Sequence, residues 1–212
     1  MVSQFTAFSE MIIEGNMGDI AVATRQALDG GIPAHDILEQ GLLPGMDVVG
    51  QRFKVGDMYI PEVLLSARTM SAAMEVLRPL LSEKEASGAG TVVIGTVEGD
   101  IHNIGKNLVA MLFEGAGFNV IDLGVDVKPQ AFVDAAKQHK PHVLAMSALL
   151  TTTMSKMAET MDALTAAGIR GHLKIMAGGA PVTEDFVKQI GADGYAPNAA
   201  AAVDKAKALM GR

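Results

Sequence analysis

Thr91-Val-Val-Ile-Gly-Thr-Val97 runs directly into Glu98-Gly-Asp100-Ile-His102-Asn-Ile-Gly105-Lys106. A short apolar run, a loop of small and polar residues and a helical pattern from Lys106 to Gly115 make a β-loop-α unit. The same grammar repeats to the end of the chain. Strand-like runs at 118–124, 142–149, 173–179 and, more weakly, 192–196 alternate with helical stretches at Pro129–Gln138, Ser155–Ala167, Thr183–Ile190 and Ala199–Met210. Strands joined by helical crossovers must lie parallel, with helices on both faces of the sheet. Five of them favour a doubly wound, flavodoxin-like order, 2-1-3-4-5.

Upstream the pattern is different. Met11, Ile12, Ile20, Ala21, Ala27 and Leu28 recur at helical spacing until Gly30-Gly31 and Pro33 stop them. A second helical pattern runs from Ile37 through Leu42–Val49 toward Phe53, and a third from Pro61 to Leu81, with Lys54-Val-Gly-Asp57 as a short connection. This predicts an all-α bundle of about four helices. Residues 82–90, small and polar, read as a linker, so the expected domains are 1–88, helical, and 89–212, α/β.

Composition sets the outer limits. Of 212 residues, 49% are hydrophobic and 19% charged, the balance of a core-forming globular chain. A net charge of −7 offers no attraction to nucleic acid or anionic lipid. The absence of Cys removes disulfides, thiolate nucleophiles and Cys-based metal sites, so a metal must be held by His, Asp or Glu. The N-terminus lacks a basic region and carries Glu10 and Glu14, unlike a signal peptide, and there is no apolar run of about 18 residues. These features predict a cytoplasmic protein. The first 88 residues hold 12 acidic and 6 basic residues, which suits a docking face or an ordinary solvated surface. The 14 Met divide evenly between the halves and read as core filler.

In open α/β sheets ligands bind beyond the carboxyl ends of the strands, which points to the loop after the first strand. That loop has neither G-x-G-x-x-G nor G-x-x-x-x-G-K-[ST], so nucleotide phosphates are not favoured. It carries Asp100 and His102 instead, a pair that also fits a helix cap beside a solvated histidine. The third strand ends in Ser147-Ala-Leu149-Leu-Thr151-Thr-Thr153, a run of hydroxyls. The fourth ends in Gly178-Gly179-Ala180, where backbone can approach a bulky ligand closely.

D-x-H-x-x-G (Asp100–Gly105), S-x-L (Ser147–Leu149) and G-G (Gly178, Gly179), each at the end of its strand, resemble the cobalamin-binding domain of corrinoid proteins and methionine synthase. Gly50-Gln-Arg-Phe53-Lys-Val-Gly56-Asp-Met-Tyr-Ile60-Pro61-Glu-Val-Leu-Leu-Ser66-Ala67-Arg-Thr-Met70 looks like the helical cap of the methyl-transferring members. The resemblance implies that dimethylbenzimidazole leaves the cobalt and that His102 replaces it as lower axial ligand. Neutral imidazole is a good cobalt ligand whose second nitrogen needs an acceptor, the role of Asp100. Thr153, six residues past the motif serine, stands where the family's ligand triad has Ser.

By the same resemblance, Ser147, Leu149 and Thr151 line the slot for the displaced nucleotide tail, Gly178 and Gly179 give clearance, and Gly99, Ile101, Asn103 and Gly105 line the corrin side. Ala199 matches an edge contact. Phe53 and Ile60 match residues that shield the methyl group, and Glu39 a further cap position. For Ser147 a capping or core role, and for Phe53 a place in the bundle core, fit the sequence equally well.

The implied function is that of a corrinoid methyl carrier cycling between Co(I) and methyl-Co(III), its cap swinging about the 82–90 linker and His102 taking up a proton on release. A donor-side methyltransferase, an acceptor-side one using tetrahydrofolate or a thiol coenzyme, and a reductive activator would be its partners, in a methanol, methylamine or O-demethylase system. The chain has no segment of about 250 residues for a substrate-binding barrel, so it is expected to be non-catalytic alone. The cobalamin subunit of an adenosylcobalamin mutase, a cobalamin-dependent sensor or regulator, and a flavin or phosphate binder stay open as alternatives. The first would match only residues 91–212, and the second needs a basic DNA-binding module that is not evident.

Overall fold

The computed structural model describes residues 2–81 and 89–211. The chain forms two compact units. One lies within Met1–Gly88 and takes in Glu114–Phe118; the other comprises Ala89–Phe113 and Asn119–Arg212. Most of the expected linker, 82–88, lies outside the described residues, and Gly90 already belongs to a strand.

In the first unit, α1 (Val2–Glu14) and α2 (Met17–Asp29) are joined at Asn16, whose side chain accepts the Asp19 N–H and caps α2. The pattern expected to start at Ile37 is helical from Ala34 to Val55 but not uniformly α. A short α3 (Ala34–Asp36) passes through a π-helical segment (Ile37–Leu42) into α4 (Leu43–Val55). Pro44 has no N–H, and at the junction the Leu43 N–H reaches back five residues to the Leu38 carbonyl, which accommodates it. Glycines at 41 and 45 let this helix lie close on α1: a Cβ at either would come within 3.0 Å of Phe8 or 2.9 Å of Ile12. Ser9 donates to the Gly41 carbonyl across the same contact. Gly56, at φ +83°, ends α4 in the left-handed conformation that favours glycine. Then α5 (Ile60–Leu77) begins with the Glu62 carboxylate accepting the Tyr59 N–H. It stops short of the expected Leu81, giving way to a 3-10 turn (Arg78–Leu80) around Pro79. Ile12, Ile20, Leu38, Leu42, Met70 and Leu77 are among the fully buried side chains of this unit.

The second unit is a five-stranded sheet in the order β2-β1-β3-β4-β5, the expected order. Its strands are β1 (Gly90–Thr96), β2 (Phe118–Asp122), β3 (Val143–Ser147), β4 (Lys174–Gly178) and β5 (Gly194–Ala196). Between and after them come α6 (Ile104–Gly115), α7 (Pro129–His139), α8 (Met154–Ala166), α9 (Glu184–Gln189) and α10 (Ala199–Leu209). β2, β3 and β4 are shorter than their apolar runs, because these runs continue into loops at the sheet's carboxyl edge, whereas β1 is as long as its run and is shifted one residue toward the N-terminus. β3 shows why the runs are unbroken: Val143–Met146 are all buried, with helices on both faces. Phe132 and Val133 of α7 pack with Val93, Leu144, Met157, Leu164 and Ile175 in one core, each large side chain contributing about 1.5–3 kcal/mol. Gly95 leaves the gap that Phe132 fills, since a Cβ there would stand 3.0 Å from the ring. Parallel registry sets Thr96, Ser147, Gly178 and Ala196 in a row across the carboxyl edge. Among the described residues no helix is long and apolar enough to cross a membrane.

Candidate functional site

Asp100 is the centre of this edge. Its side chain is fully buried (0% exposed), and such a carboxylate persists only if hydrogen bonds replace its water. Oδ2 accepts the Leu149 N–H at 2.7 Å, the Leu150 N–H at 3.3 Å and the Thr153 hydroxyl at 2.9 Å. Oδ1 accepts the His102 N–H at 3.1 Å and lies 2.8 Å from His102 Nδ1. Burial by itself raises the pKa. The bonds from Leu149, from the His102 backbone and ring, and from Thr153 outweigh it and hold the carboxyl well below its usual range.

An ionised carboxylate only accepts, so neutral His102 must carry its proton on Nδ1. That leaves the Nε2 lone pair available. The imidazole is 47% exposed, and no hydrogen bond engages Nε2 among the described residues. Around it the rim is unusually apolar for a loop surface: Ile101 and Ile104 are 75% and 86% exposed, and Leu149 and Leu150 are about half as exposed. Asn103, Gly105 and Thr151 are exposed on the same rim.

The other expected residues divide. Ser147, half-buried, is last in β3 and stands beside Thr96 and Gly178 in register. Gly178 and Gly179 have a reason of their own. A Cβ on Gly178 would stand 3.1 Å from the Ala196 carbonyl oxygen, and one on Gly179, at φ +126°, would overlap the Ala148 carbonyl. Close passage of backbone against backbone requires these glycines before any ligand does. Ala199 is buried at the start of α10, behind the Asn198 cap. In the helical unit, Phe53 is half-buried on α4, Ile60 is 48% exposed at the start of α5, and Glu39 is exposed on the π-helical segment.

Three residues not anticipated from the sequence hold the histidine loop. Buried Thr96 donates its hydroxyl to the His102 carbonyl at 2.9 Å. Asp126, at φ +54°, accepts the Gly99 N–H on Oδ1 at 2.7 Å and donates its own N–H to the Asp100 carbonyl at 2.9 Å. Buried Lys106 joins the first turn of α6 to Asp122 at the end of β2. A lone Thr at a strand end, an Asp two residues past Gly124 and a Lys in the first turn of a helix are the traces these leave in the sequence.

Comparison with known proteins places the chain in a family. A model of the B12 binding domain matches residues 90–204, and a second B12 binding domain model matches residues 4–78. The trimethylamine corrinoid protein 1 of Methanosarcina mazei is 44% identical, over 90% of this chain and 89% of its own length. The chain belongs to the B12-binding corrinoid proteins. The monomethylamine corrinoid protein 2 of Methanosarcina acetivorans is 40% identical over 97% of both chains. Among solved structures, the methanol:cobalamin methyltransferase complex of Methanosarcina barkeri superposes with a TM-score of 0.89 at 33% identity, covering 99% of this chain and 80% of that one. A cobalamin-binding protein from Desulfitobacterium hafniense superposes at 0.79 and 34% identity, covering 97% and 98%.

The cofactor of this corrinoid protein is accordingly a cobalamin, and the site's chemistry suits it. Among the described residues no three His, Asp or Glu side chains gather as a metal cage. A corrin ring supplies its own four nitrogens, so the protein needs to offer only one axial donor on an apolar rim. His102, with Nε2 open beside Ile101, Ile104 and Leu149, has the chemistry such a ring could use.

Proposed function

We propose that this corrinoid protein holds cobalamin base-off, with His102 Nε2 as the lower axial ligand, and carries a methyl group between two partner methyltransferases. The observation that carries the reading is the relay from Thr153 to Asp100 to His102, which fixes the tautomer a metal ligand requires. When bound, the corrinoid would supply a cobalt centre able to accept and release a methyl group, with His102 holding it from the protein side.

The chain's own residues bind, orient and shield. Asp100 keeps the proton on Nδ1 and the imidazole at one angle. Thr153 and the Leu149 and Leu150 amides keep Asp100 ionised in a buried place. Ser147, Leu149, Thr151, Gly178 and Gly179 form the edge that receives the displaced nucleotide tail, with Ala199 behind it. Gly99, Ile101, Asn103 and Gly105 face the corrin. Phe53 and Ile60 of the helical unit, with Glu39, act as the cap that excludes water and stray oxidants from the methyl group.

Relatives named as trimethylamine and monomethylamine corrinoid proteins, and a neighbour solved within a methanol:cobalamin methyltransferase complex, support a donor of the methylamine or methanol type. An acceptor-side methyltransferase and a reductive activator complete the system. The extent of these matches, over both halves, favours a carrier above a mutase subunit, which would account only for the α/β half. The test is methyl transfer to reduced, cobalamin-loaded protein from purified methylamine and methanol methyltransferases, followed by the spectrum of the loaded cofactor. Methylation by one class, giving a methylated cofactor whose visible spectrum changes in His102→Ala, supports the proposal. A methylated His102→Ala protein with the wild-type spectrum would remove His102 from it.

A further inference from the structure

We propose that Thr96 is a positioning residue for His102: its hydroxyl fixes the histidine's backbone carbonyl and so sets how firmly the imidazole is presented to the lower axial position. The inference rests on the reading of His102 as that ligand.

Thr96 is the last residue of β1, only 1% exposed, and immobilised on every side. Its N–H donates to the Gly124 carbonyl at 3.0 Å and its carbonyl accepts the Val127 N–H at 2.9 Å, while Ser147 lies beside it in β3. The hydroxyl of a residue so fixed is a stationary donor. It meets the His102 carbonyl at 2.9 Å, six residues along the chain. The loop between them is short of other ties at that end. Gly99 and Asp100 are held from the β2 side by Asp126, and the Asp100 carboxylate is held from the β3 side by Leu149, Leu150 and Thr153. Past Asp100, the loop's outward residues Ile101 and Asn103 are exposed; the Asn103 carbonyl accepts the Asn107 N–H of α6 at 2.8 Å, and among the described residues His102 itself is tied through its N–H and Nδ1 to Oδ1 and through its carbonyl to Thr96.

The two kinds of tie do different work. Asp100 orients the ring and chooses its tautomer. Thr96 prevents the peptide unit after His102 from rotating, a motion that would carry the Cα, and with it the whole ring, away from the sheet edge. Without Thr96 the imidazole could keep its bond to Asp100 while the loop drifts outward, leaving a ligand that is correctly protonated but poorly placed. Ligand groups held by a rigid surround lose less freedom on coordination than groups that must be ordered first.

The test is cyanide competition on protein loaded with cyanocobalamin, where a second cyanide displaces the lower ligand and changes the visible spectrum. Thr96→Val keeps the side-chain volume and removes the donor; Thr96→Ala replaces it if Val does not fold, and Thr96→Ser restores the donor. His102→Ala is run alongside. Expected is half-conversion of Thr96→Val at about fivefold lower cyanide than wild type, the factor that one net hydrogen bond of about 1 kcal/mol carries, with Thr96→Ser matching wild type. If His102→Ala shifts the curve but Thr96→Val does not, even with a lowered melting temperature, Thr96 is merely structural and the proposal is overturned while the ligand stands. If His102→Ala leaves the curve unmoved, the ligand reading itself fails.

Discussion

Replacing Asp100 by Asn changes almost no volume but alters which atoms can donate. The amide has one oxygen for the two carboxylate oxygens. Placed at Oδ2, it keeps the bonds from Leu149, Leu150 and Thr153, and its NH2 then faces the His102 N–H and Nδ1. The opposite flip is worse, since it sets the NH2 against the Leu149 and Leu150 amides. In the better orientation the His102 N–H loses its acceptor, which costs about 1–3 kcal/mol, and the three remaining bonds lose their charge assistance. We expect the apo protein to be destabilised by about 2–4 kcal/mol. The larger effect is on the ring, because Nδ1 can face an NH2 only as an acceptor. The proton then moves to Nε2, the atom the metal needs. Losing an acceptor of this kind costs about 10- to 100-fold in metal affinity, so the cyanide required for half-displacement should fall by one to two orders of magnitude in Asp100→Asn. Thermal melts of the apo protein and the cyanide titration of the loaded one read the two effects separately. A variant that loses stability yet keeps the wild-type cyanide curve would refute the tautomer argument.

Thr153→Val removes one hydroxyl donor from a buried carboxylate and should cost about 1.5–3 kcal/mol in melts, with a smaller cyanide shift than Asp100→Asn because His102 keeps its own contact. Asp100 also sets an acid limit. Its folded-state pKa is depressed, so its stabilisation is present above the unfolded value of about 3.9 and is lost as pH falls below that. The melting-temperature gap between wild type and Asp100→Asn should be constant near neutrality and narrow below about pH 4; a constant gap down to about pH 3 would contradict the shift. Gly179→Ala has no room beside the Ala148 carbonyl and adopts a strained φ, so it should fail to fold stably, whereas Gly105→Ala, with nothing within 4 Å of its new Cβ, should keep apo stability and lose corrinoid retention. Equal retention by Gly105→Ala and wild type would remove Gly105 from the corrin face.

The sheet was legible because each strand's apolar run and each crossover helix is local information, and the parallel order follows from their alternation. The strand ends were not. Val97, Ala148 and Gly179 continue the apolar or small-residue pattern beyond the last ladder pair, and only tertiary contacts decide where pairing stops. The π-helical segment sits just before Pro44, which cannot donate to an α-helical ladder, in a helix that Gly41 and Gly45 let lie close on α1; periodicity registers neither feature. At the site, Asp100, His102 and Thr153 stand in or beside sequence motifs, and the fold joins them by hydrogen bonds. Thr96 and Asp126 did not stand out, because their importance lies in partners brought near by the fold: Asp126 meets Gly99 from 27 residues away. Gly178 and Gly179 read in the sequence as clearance for a ligand, and the structure adds neighbouring backbone that each must also accommodate.

The central claim is that His102 coordinates the cobalt from below, and one spectrum addresses it directly. Protein grown with nitrogen-15 histidine, loaded with ordinary cobalamin and reduced to Co(II), should show each cobalt hyperfine line in the EPR split into a doublet by a single labelled imidazole nitrogen. A triplet that persists despite the label would mean that the cofactor's own benzimidazole still holds the cobalt, and His102 would not be its ligand.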